Sequence, residues 1–153
     1  MKKVFHFEDK GEDESFKRGL VASSFDLLHA GHCIMLKDAK SKCDHLIVAL
    51  QTDPSIDRPE KNEPVQSMEE RFIVLNSNKY VDEIIFYSTE AELRDLIELI
   101  KPDIRILGSD WKGKDYTGEG LIPEVYFHDR NHGYSTSELR ERISTTETDK
   151  NER

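Results

Sequence analysis

Two histidines stand three residues apart in the segment 23–32, which has the sequence SSFDLLHAGH. Residues at positions i and i+3 of a helical turn lie on one face, so the rings of His29 and His32 can both donate to a single phosphate group. Gly31 lies between them and lets a ligand approach the backbone closely. The same spacing also occurs in ordinary structural histidines and in zinc sites. Zinc is disfavoured, because no third ligand at a usual spacing comes from His6, His45, His128 or His132.

The segments around this motif predict an α/β fold. Strand-like segments are found at 19–24, 45–50, 83–87, 103–107 and 123–127, and helical patterns cover 31–42, 67–77, 89–100 and Ser135 to about Ile143. Strands that alternate with helices indicate a Rossmann-like, doubly wound parallel sheet of five strands with helices on both faces. Ligands of such sheets bind beyond the carboxyl ends of the strands, where a helix N-terminus offers free amides to phosphate.

Three of the predicted helices begin with the pattern Ser/Thr-x-x-Glu, at Ser67, Thr89 and Ser135. In this pattern the hydroxyl accepts a hydrogen bond from the amide three residues on, and the glutamate reaches back to the amide of the cap residue. The pattern therefore predicts where these three helices start.

The chain has 153 residues, which suits one domain. We expect this domain to cover residues 18–144. Residues 1–17 contain an acidic run and are expected to form a mobile arm or an added edge strand. Residues 145–153 are expected to form a disordered tail.

The composition excludes several classes of function. With 22 Lys and Arg against 31 Asp and Glu, the formal net charge is −9, which disfavours a general binder of nucleic acid or of an anionic membrane. The two cysteines form no C-x-x-C motif, and no apolar run approaches the roughly 18 to 20 residues that span a bilayer. We therefore expect a cytoplasmic protein that acts on small molecules.

The segment 24–32 resembles the HxGH signature of the nucleotidyltransferase superfamily. Its FDLLHAGH form is closest to the glycerol-3-phosphate and phosphocholine or phosphoethanolamine cytidylyltransferases. Three further segments match in the same order: 68–83, which contains MEER and KYVDE; 108–114, GSDWKGK, which is similar to GDDWxGK; and 130–137, RNHGYSTS, which is similar to RTxGISTT. The resemblance covers residues 18–143. It implies transfer of CMP from CTP to a small phosphorylated acceptor, with release of pyrophosphate.

The resemblance also implies roles for individual residues. His29, His32 and Arg130 are the expected catalytic residues, as donors to the α-phosphate. The expected nucleotide-binding residues are Ser24, Phe25, His29, Gly31, His32, Lys61, Gly108, Asp110, Trp111, Arg130, Tyr134, Ser135, Thr136 and Ser137. Arg71 and Lys79 are candidates for the substrate phosphate, with a dimer interface as the alternative for Arg71. No metal ligand from the protein is expected, because Mg²⁺ would be held mainly by the triphosphate. A homodimer is also implied.

This sequence departs from the cytidylyltransferase pattern at several positions. Ser23 and Ser24 stand where the family has Gly-Thr, Ser109 replaces the first Asp of GDDW, and the family's lysine after the strand that contains Phe86 is absent. The acceptor can therefore differ from glycerol 3-phosphate. Two alternatives stay open: an adenylyltransferase of the same superfamily, of the phosphopantetheine or heptose type, and a non-catalytic nucleotide-binding regulatory module.

Overall fold

A computed structural model describes residues 15–153, so most of the predicted N-terminal arm lies outside the described residues. The strands are β1 (Arg18–Ser23), β2 (His45–Gln51), β3 (Glu83–Tyr87), β4 (Ile104–Gly108) and β5 (Glu124–His128). The helices are α1 (Ala30–Lys40), α2 (Met68–Asn76), α3 (Glu90–Ile100) and α4 (Thr136–Asn151), and a 3₁₀ turn covers Ser109–Trp111.

The strands form one five-stranded sheet in the order β3-β2-β1-β4-β5, and every pairing is parallel. The chain builds the sheet outward from β1 to β3 and then returns to place β4 on the other side of β1. This reversal opens a crevice above the carboxyl ends of β1 and β4. The predicted Rossmann-like parallel sheet is confirmed.

Helices pack on both faces of the sheet because consecutive strand residues point to opposite sides. Val21 belongs to the core on the side of α1 and α2. Its neighbour Leu20 belongs to the core on the side of α3. The interior strand β2 is buried over six of its seven residues, as expected for a strand covered on both faces.

The predicted helix starts are confirmed. The Ser67 hydroxyl accepts from the amide of Glu70, whose carboxylate accepts from the amide of Ser67. The caps at Thr89 and Ser135 accept in the same way from the amides three residues on.

The prediction of a disordered tail over residues 145–153 is wrong. Helix α4 continues to Asn151, although all of its residues are at least partly exposed. The sequence contains no glycine or proline after Gly133 that would end the helix. The hydroxyls of Thr146 and Thr148 also bond back to carbonyls within α4.

Within residues 15–153, no helix has the length and apolar character needed to cross a membrane.

Candidate active site

A tight turn over residues 24–28 connects β1 to α1 and positions the two histidines. Phe25 and Leu27 have φ angles of 45° and 52°, in the left-handed region that side chains other than glycine rarely adopt. Asp26 holds the turn in place: it is 6% exposed and accepts from the amides of Val65 and Gln66 at 2.9 and 3.0 Å. The loop before α2 therefore fixes the start of α1.

Phe25 does not reach the crevice, contrary to its predicted role in binding the nucleotide. Its side chain is 1% exposed, and its ring lies 5.3 Å from the ring of His32. The turn directs this large apolar group into the core, where it supports the histidine from behind.

The backbone fixes which nitrogen of each site histidine faces the crevice. Nδ1 of His29 accepts from the amide of Gly31 at 3.0 Å, and Nδ1 of His32 accepts from the amide of His29 at 3.2 Å. With both Nδ1 atoms acting as acceptors, each neutral ring carries its proton on Nε2. The rings stack with centroids 3.9 Å apart. Two parallel N–H donors result.

Both histidines favour the neutral state. Burial lowers the pKa of His29 below 6.5, and the charges of Arg130 and His132 lower it further. Burial lowers the pKa of His32 to about 3, with His29 and Arg130 adding to the effect and Asp26 opposing it. At pH 7 the pair therefore donates hydrogen bonds as neutral imidazoles.

The lowered pKa of His32 predicts a pH dependence of stability. Below pH 6.5 the unfolded chain binds a proton at His32 that the folded chain excludes down to about pH 3. The free energy of unfolding is therefore expected to fall as the pH drops through this window and to level off above it. Urea denaturation between pH 4 and 8 measures the slope. The slope should decrease in His32→Gln. It should stay unchanged in Arg94→Met, which removes only the exposed ion pair with Glu98.

The first cavity, of about 380 Å³, lies above β1, β4 and β5. Its lining includes most of the predicted nucleotide-binding residues, namely His29, Gly31, His32, Lys61, Gly108, Asp110, Trp111, Arg130, Tyr134 and Thr136. Gly31 is required here, because a Cβ would lie 2.9 Å from the ring of His29 and 3.0 Å from Cβ of Tyr134.

Arg130 and the N-terminus of α4 approach the histidines from the opposite side. Nη1 of Arg130 lies 3.4 Å from Oδ2 of Asp110, and both side chains are about half exposed. Thr136 Oγ1 lies 3.1 Å from Nε2 of His29. An arginine fork and free helix amides near two imidazole donors form an arrangement suited to phosphate.

The three serines predicted to bind the nucleotide lie in different places. Ser135 caps α4 and lines a shallow, open pocket beside Arg130. Ser137 is exposed in the first turn of α4, and Ser24 lines a second cavity.

The second cavity, of about 690 Å³, lies above β1, β2 and β4 and adjoins the first. The residues that line both cavities are Ala22, Ser23, Lys61, Leu107 and Trp111. The second cavity also contains Arg58 and Arg105. Arg105 was not among the residues predicted for the site, and its signal in the sequence was a lone charge inside the otherwise apolar strand β4.

Arg71 has a structural role in place of the predicted contact with substrate phosphate. Its side chain is 2% exposed and donates to the backbone carbonyls of Ser24, Gln51, Thr52 and Gln66. The guanidinium therefore ties the ends of β1 and β2 to the loop before α2, beneath the crevice. Its position within α2 gave no indication of this depth.

Lys79 lies far from the crevice, so the structure contradicts its predicted contact with the substrate phosphate. It is in the connection between α2 and β3, at the amino ends of the strands, and its Nζ lies 5.2 Å from the ring centre of Tyr80. The crevice forms at the opposite, carboxyl ends.

The carboxylates that line the cavities are Asp110 in the first and Glu90 and Asp115 in the second. Within residues 15–153, no cluster of three or more His, Cys, Asp or Glu side chains is arranged to hold a metal ion. These residues fit a cation that arrives bound mostly to a ligand's own phosphates, with Asp110 as the adjacent carboxylate.

The molecule is an α/β protein with a Rossmann-like parallel sheet, and histidine donors, an arginine and a helix N-terminus meet at the switch point of that sheet. The chain belongs to the cytidylyltransferase-like family, whose model matches residues 20–150.

Relatives with curated descriptions support this assignment. The chain is 37% identical over 126 residues to the bifunctional protein HldE of Helicobacter pylori (strain HPAG1). The matched region covers 82% of this chain and 27% of that protein. It is 38% identical over 120 residues to HldE of Wolinella succinogenes, covering 78% of this chain and 25% of that protein. The chain thus spans about a quarter of the length of these relatives.

Solved structures have the same fold. The lipopolysaccharide core biosynthesis protein from Thermoplasma volcanium has a TM-score of 0.61 and 25% identity, covering 73% of this chain and 96% of that one. A pantothenate synthetase from Thermus thermophilus has a TM-score of 0.55 at 14% identity, covering 82% of this chain and 64% of that one, and it shows the fold alone.

Proposed function

We propose that the protein transfers AMP from ATP to a small sugar phosphate and releases pyrophosphate. An oxygen of the acceptor phosphate attacks the α-phosphorus of ATP, and the bond from that phosphorus to the oxygen bridging to the β-phosphate breaks. The acceptor is already an anion at pH 7, so the reaction needs no general base. Two stacked histidines with Nε2–H donors support this proposal most strongly, because charge gathers on the α-phosphate oxygens in the transition state.

The other parts of the crevice would hold the two anionic substrates together. Arg130 lines the first cavity, and with the first amides of α4 it would bind the triphosphate there. Lys61 lines both cavities and would bridge the nucleotide and the acceptor. Alignment of two bound reactants is itself a large part of such catalysis.

The relatives favour the adenylyltransferase alternative over the CTP-dependent one. HldE proteins and a structure described as a lipopolysaccharide core biosynthesis protein point to saccharide chemistry, and the heptose-type members of the superfamily are adenylyltransferases. Ser109 and the missing lysine after Phe86 also depart from the cytidylyltransferase pattern. Transfer of CMP from CTP is the second candidate, supported by the similarity of residues 24–32 and of the Trp111 loop.

Magnesium would be the cofactor, and it would reduce the charge on the phosphates. Asp110, the carboxylate that lines the first cavity, would help to hold an ion carried mainly by the phosphates of ATP. The chain's own residues would then donate hydrogen bonds to the phosphate oxygens that the ion leaves free.

The second cavity is the proposed acceptor site. Arg105 is 3% exposed, lines this cavity, and donates from Nη1 to the carbonyl of Thr117. Within residues 15–153, its Nε has no hydrogen-bond partner. A buried cation with unused donors favours an anionic or hydroxyl-rich ligand. Arg58 and Glu90 add a donor and an acceptor for sugar hydroxyls.

Replacing Arg105 by methionine is therefore expected to raise the KM for the acceptor by about 10-fold or more, with the KM for the nucleotide nearly unchanged. Steady-state kinetics with each substrate varied in turn measures both values. Arg18→Met is the matched control, because Arg18 donates to the carbonyl of Ile100 at the opposite end of the sheet. A uniform loss of activity without a change in KM would contradict the assignment of this cavity.

The donor and the acceptor can be identified in one experiment. Pyrophosphate release is measured with each of ATP, CTP, GTP and UTP, in the presence of a heptose 1-phosphate, a hexose 1-phosphate, glycerol 3-phosphate or phosphocholine, and products are identified by mass spectrometry. We expect an ADP-linked sugar. A CDP-linked product supports the second candidate. Nucleotide binding without any product across the panel supports a regulatory module.

A homodimer remains a prediction. Ile73, Val74 and Phe86 form an exposed apolar area on α2 and the edge strand β3, which is a suitable surface for a second copy. Light scattering of the purified protein measures the mass in solution.

A further inference from the structure

A second pair of histidines, His128 and His132, lines the first cavity beyond the catalytic pair. His128 ends β5 and is 4% exposed, and its ring centroid lies 5.7 Å from that of His132. Among the residues that the structure describes, neither Nε2 atom has a hydrogen-bond partner, although both atoms are buried. A buried polar atom left without a partner is costly, so these two atoms suit a ligand that supplies the missing bonds.

Asp38 fixes the hydrogen-bonding character of His128. Its Oδ2 lies 2.7 Å from Nδ1 of His128 and accepts from the hydroxyl of Tyr126 at 2.9 Å. Burial opposes ionisation of this carboxyl, but the hydrogen bonds from His128 and Tyr126 outweigh it, so the pKa of Asp38 falls below its usual value. A carboxylate that accepts at Nδ1 requires the proton there, which leaves Nε2 of neutral His128 as an acceptor.

His132 has the opposite arrangement. Its Nδ1 accepts from the backbone amide of Tyr134 at 3.1 Å, so the proton of the neutral ring is on Nε2. The ring is held between those of His128 and Tyr134, whose centroids lie 5.7 and 5.5 Å away. The two adjacent, stacked rings, both from residues that line the cavity, thus carry one acceptor and one donor without a partner among the described residues.

We infer that His128 and His132 select the nucleobase, by accepting from an exocyclic amino group and donating to the unprotonated ring nitrogen beside it. Adenine and cytosine both present this pair of groups. Hypoxanthine, guanine and uracil present a carbonyl oxygen in place of the amino group, and this oxygen would face the acceptor Nε2 of His128. The inference rests on the proposed binding of a nucleoside triphosphate in the first cavity, and it adds the residues that choose the base.

A metal site does not explain this histidine pair. Within the described part of the chain, no grouping of three or more metal-binding side chains includes them. The bond to Asp38 also leaves His128 with the geometry of an oriented acceptor, which a stacked structural ring would not need.

Equilibrium titration with ATP and with inosine triphosphate tests the inference without any acceptor. The two nucleotides differ in the amino group and in the proton on the adjacent ring nitrogen. We expect the protein to bind ATP at least about 10-fold more tightly than inosine triphosphate, because the wrong base leaves a buried histidine unpaired. His128→Phe keeps an aromatic ring but removes the acceptor, and it should bring the two affinities to within about 3-fold.

Asp38→Asn provides a second variant that keeps the His128 ring. An amide in place of the carboxylate no longer requires the proton on Nδ1, so the preference for ATP over inosine triphosphate should fall while the ring stays packed. His45→Phe is the matched control, because His45 forms a similar pair with Glu83 at 2.9 Å, but at the amino ends of the strands.

The outcomes separate this inference from the proposed function. Equal affinity of the unmodified protein for the two nucleotides overturns the inference, as does an unchanged preference in both His128→Phe and Asp38→Asn. If the preference depends on His128 but no AMP transfer is found with the sugar phosphates, the base-selecting role stands and the proposed reaction fails.

Discussion

Replacing His29 by asparagine is expected to lower kcat by about 100-fold or more while the protein stays folded. His29 is the N-cap of α1 through its Nδ1, and asparagine is a good N-cap, so the variant keeps the hydrogen bond to the amide of Gly31. It loses the Nε2–H donor that faces the crevice. The variant thereby separates the contribution of His29 to the helix from its contribution to phosphate transfer.

Steady-state measurement of nucleotide consumption and pyrophosphate release gives kcat, and urea denaturation gives stability. His32→Gln is expected to be less damaging than His32→Ala, because its side-chain amide can place a donor near the former Nε2. His45→Asn, at the other end of the sheet, should turn over normally. Turnover of His29→Asn close to that of the unmodified protein would contradict the assignment of the histidines as phosphate donors.

The second large effect is a loss of stability when Arg71 is replaced. Replacing it by methionine should lower the free energy of unfolding by about 3 kcal/mol, because four backbone carbonyls lose a charged donor in a buried site. Urea denaturation checks this value. Arg94→Met removes an exposed ion pair with Glu98 on α3 and should change stability by less than about 0.5 kcal/mol.

Kinetics of the Arg71 variant also tests the expectation that Arg71 contacts the substrate phosphate. A residue that only positions the ends of β1 and β2 should change kcat together with stability, and should leave the KM for the acceptor close to normal. A variant as stable as the unmodified protein with a strongly raised acceptor KM would restore Arg71 as a ligand of the substrate phosphate.

The fold could be predicted from the sequence because its signals are local. Ser67 caps α2 through an amide three residues away, and the short apolar run of β1 predicts a strand, whose consecutive residues Leu20 and Val21 lie on opposite faces. The start of α1 was equally clear, because the contacts of His29 and His32 with the backbone span at most three residues. The end of α4 was missed because the last residues of a chain are commonly disordered, although the sequence contains no glycine or proline that would end this helix.

The roles of charged residues could not be predicted in the same way. The sequence shows that Arg71 and Arg105 carry charge, but it shows neither their depth nor their partners. Arg71 bonds to carbonyls up to 47 residues away, and Arg105 lies inside a sheet strand that reads as apolar. Nothing in the sequence indicated a role for His128, because Asp38, which orients its ring, lies 90 residues earlier in the chain.

The sequence alone determined the order of the strands and helices along the chain, the turn that presents His29 and His32, and the similarity to nucleotidyltransferases. The tertiary structure decided the order of strands in the sheet, the division of the crevice into two cavities, the burial of Arg71 beneath them, and which nitrogen of each histidine faces a ligand. Helix caps and strand patterns depend on neighbours within a few residues. Burial and hydrogen-bond partners depend on residues that meet only when the sheet has formed.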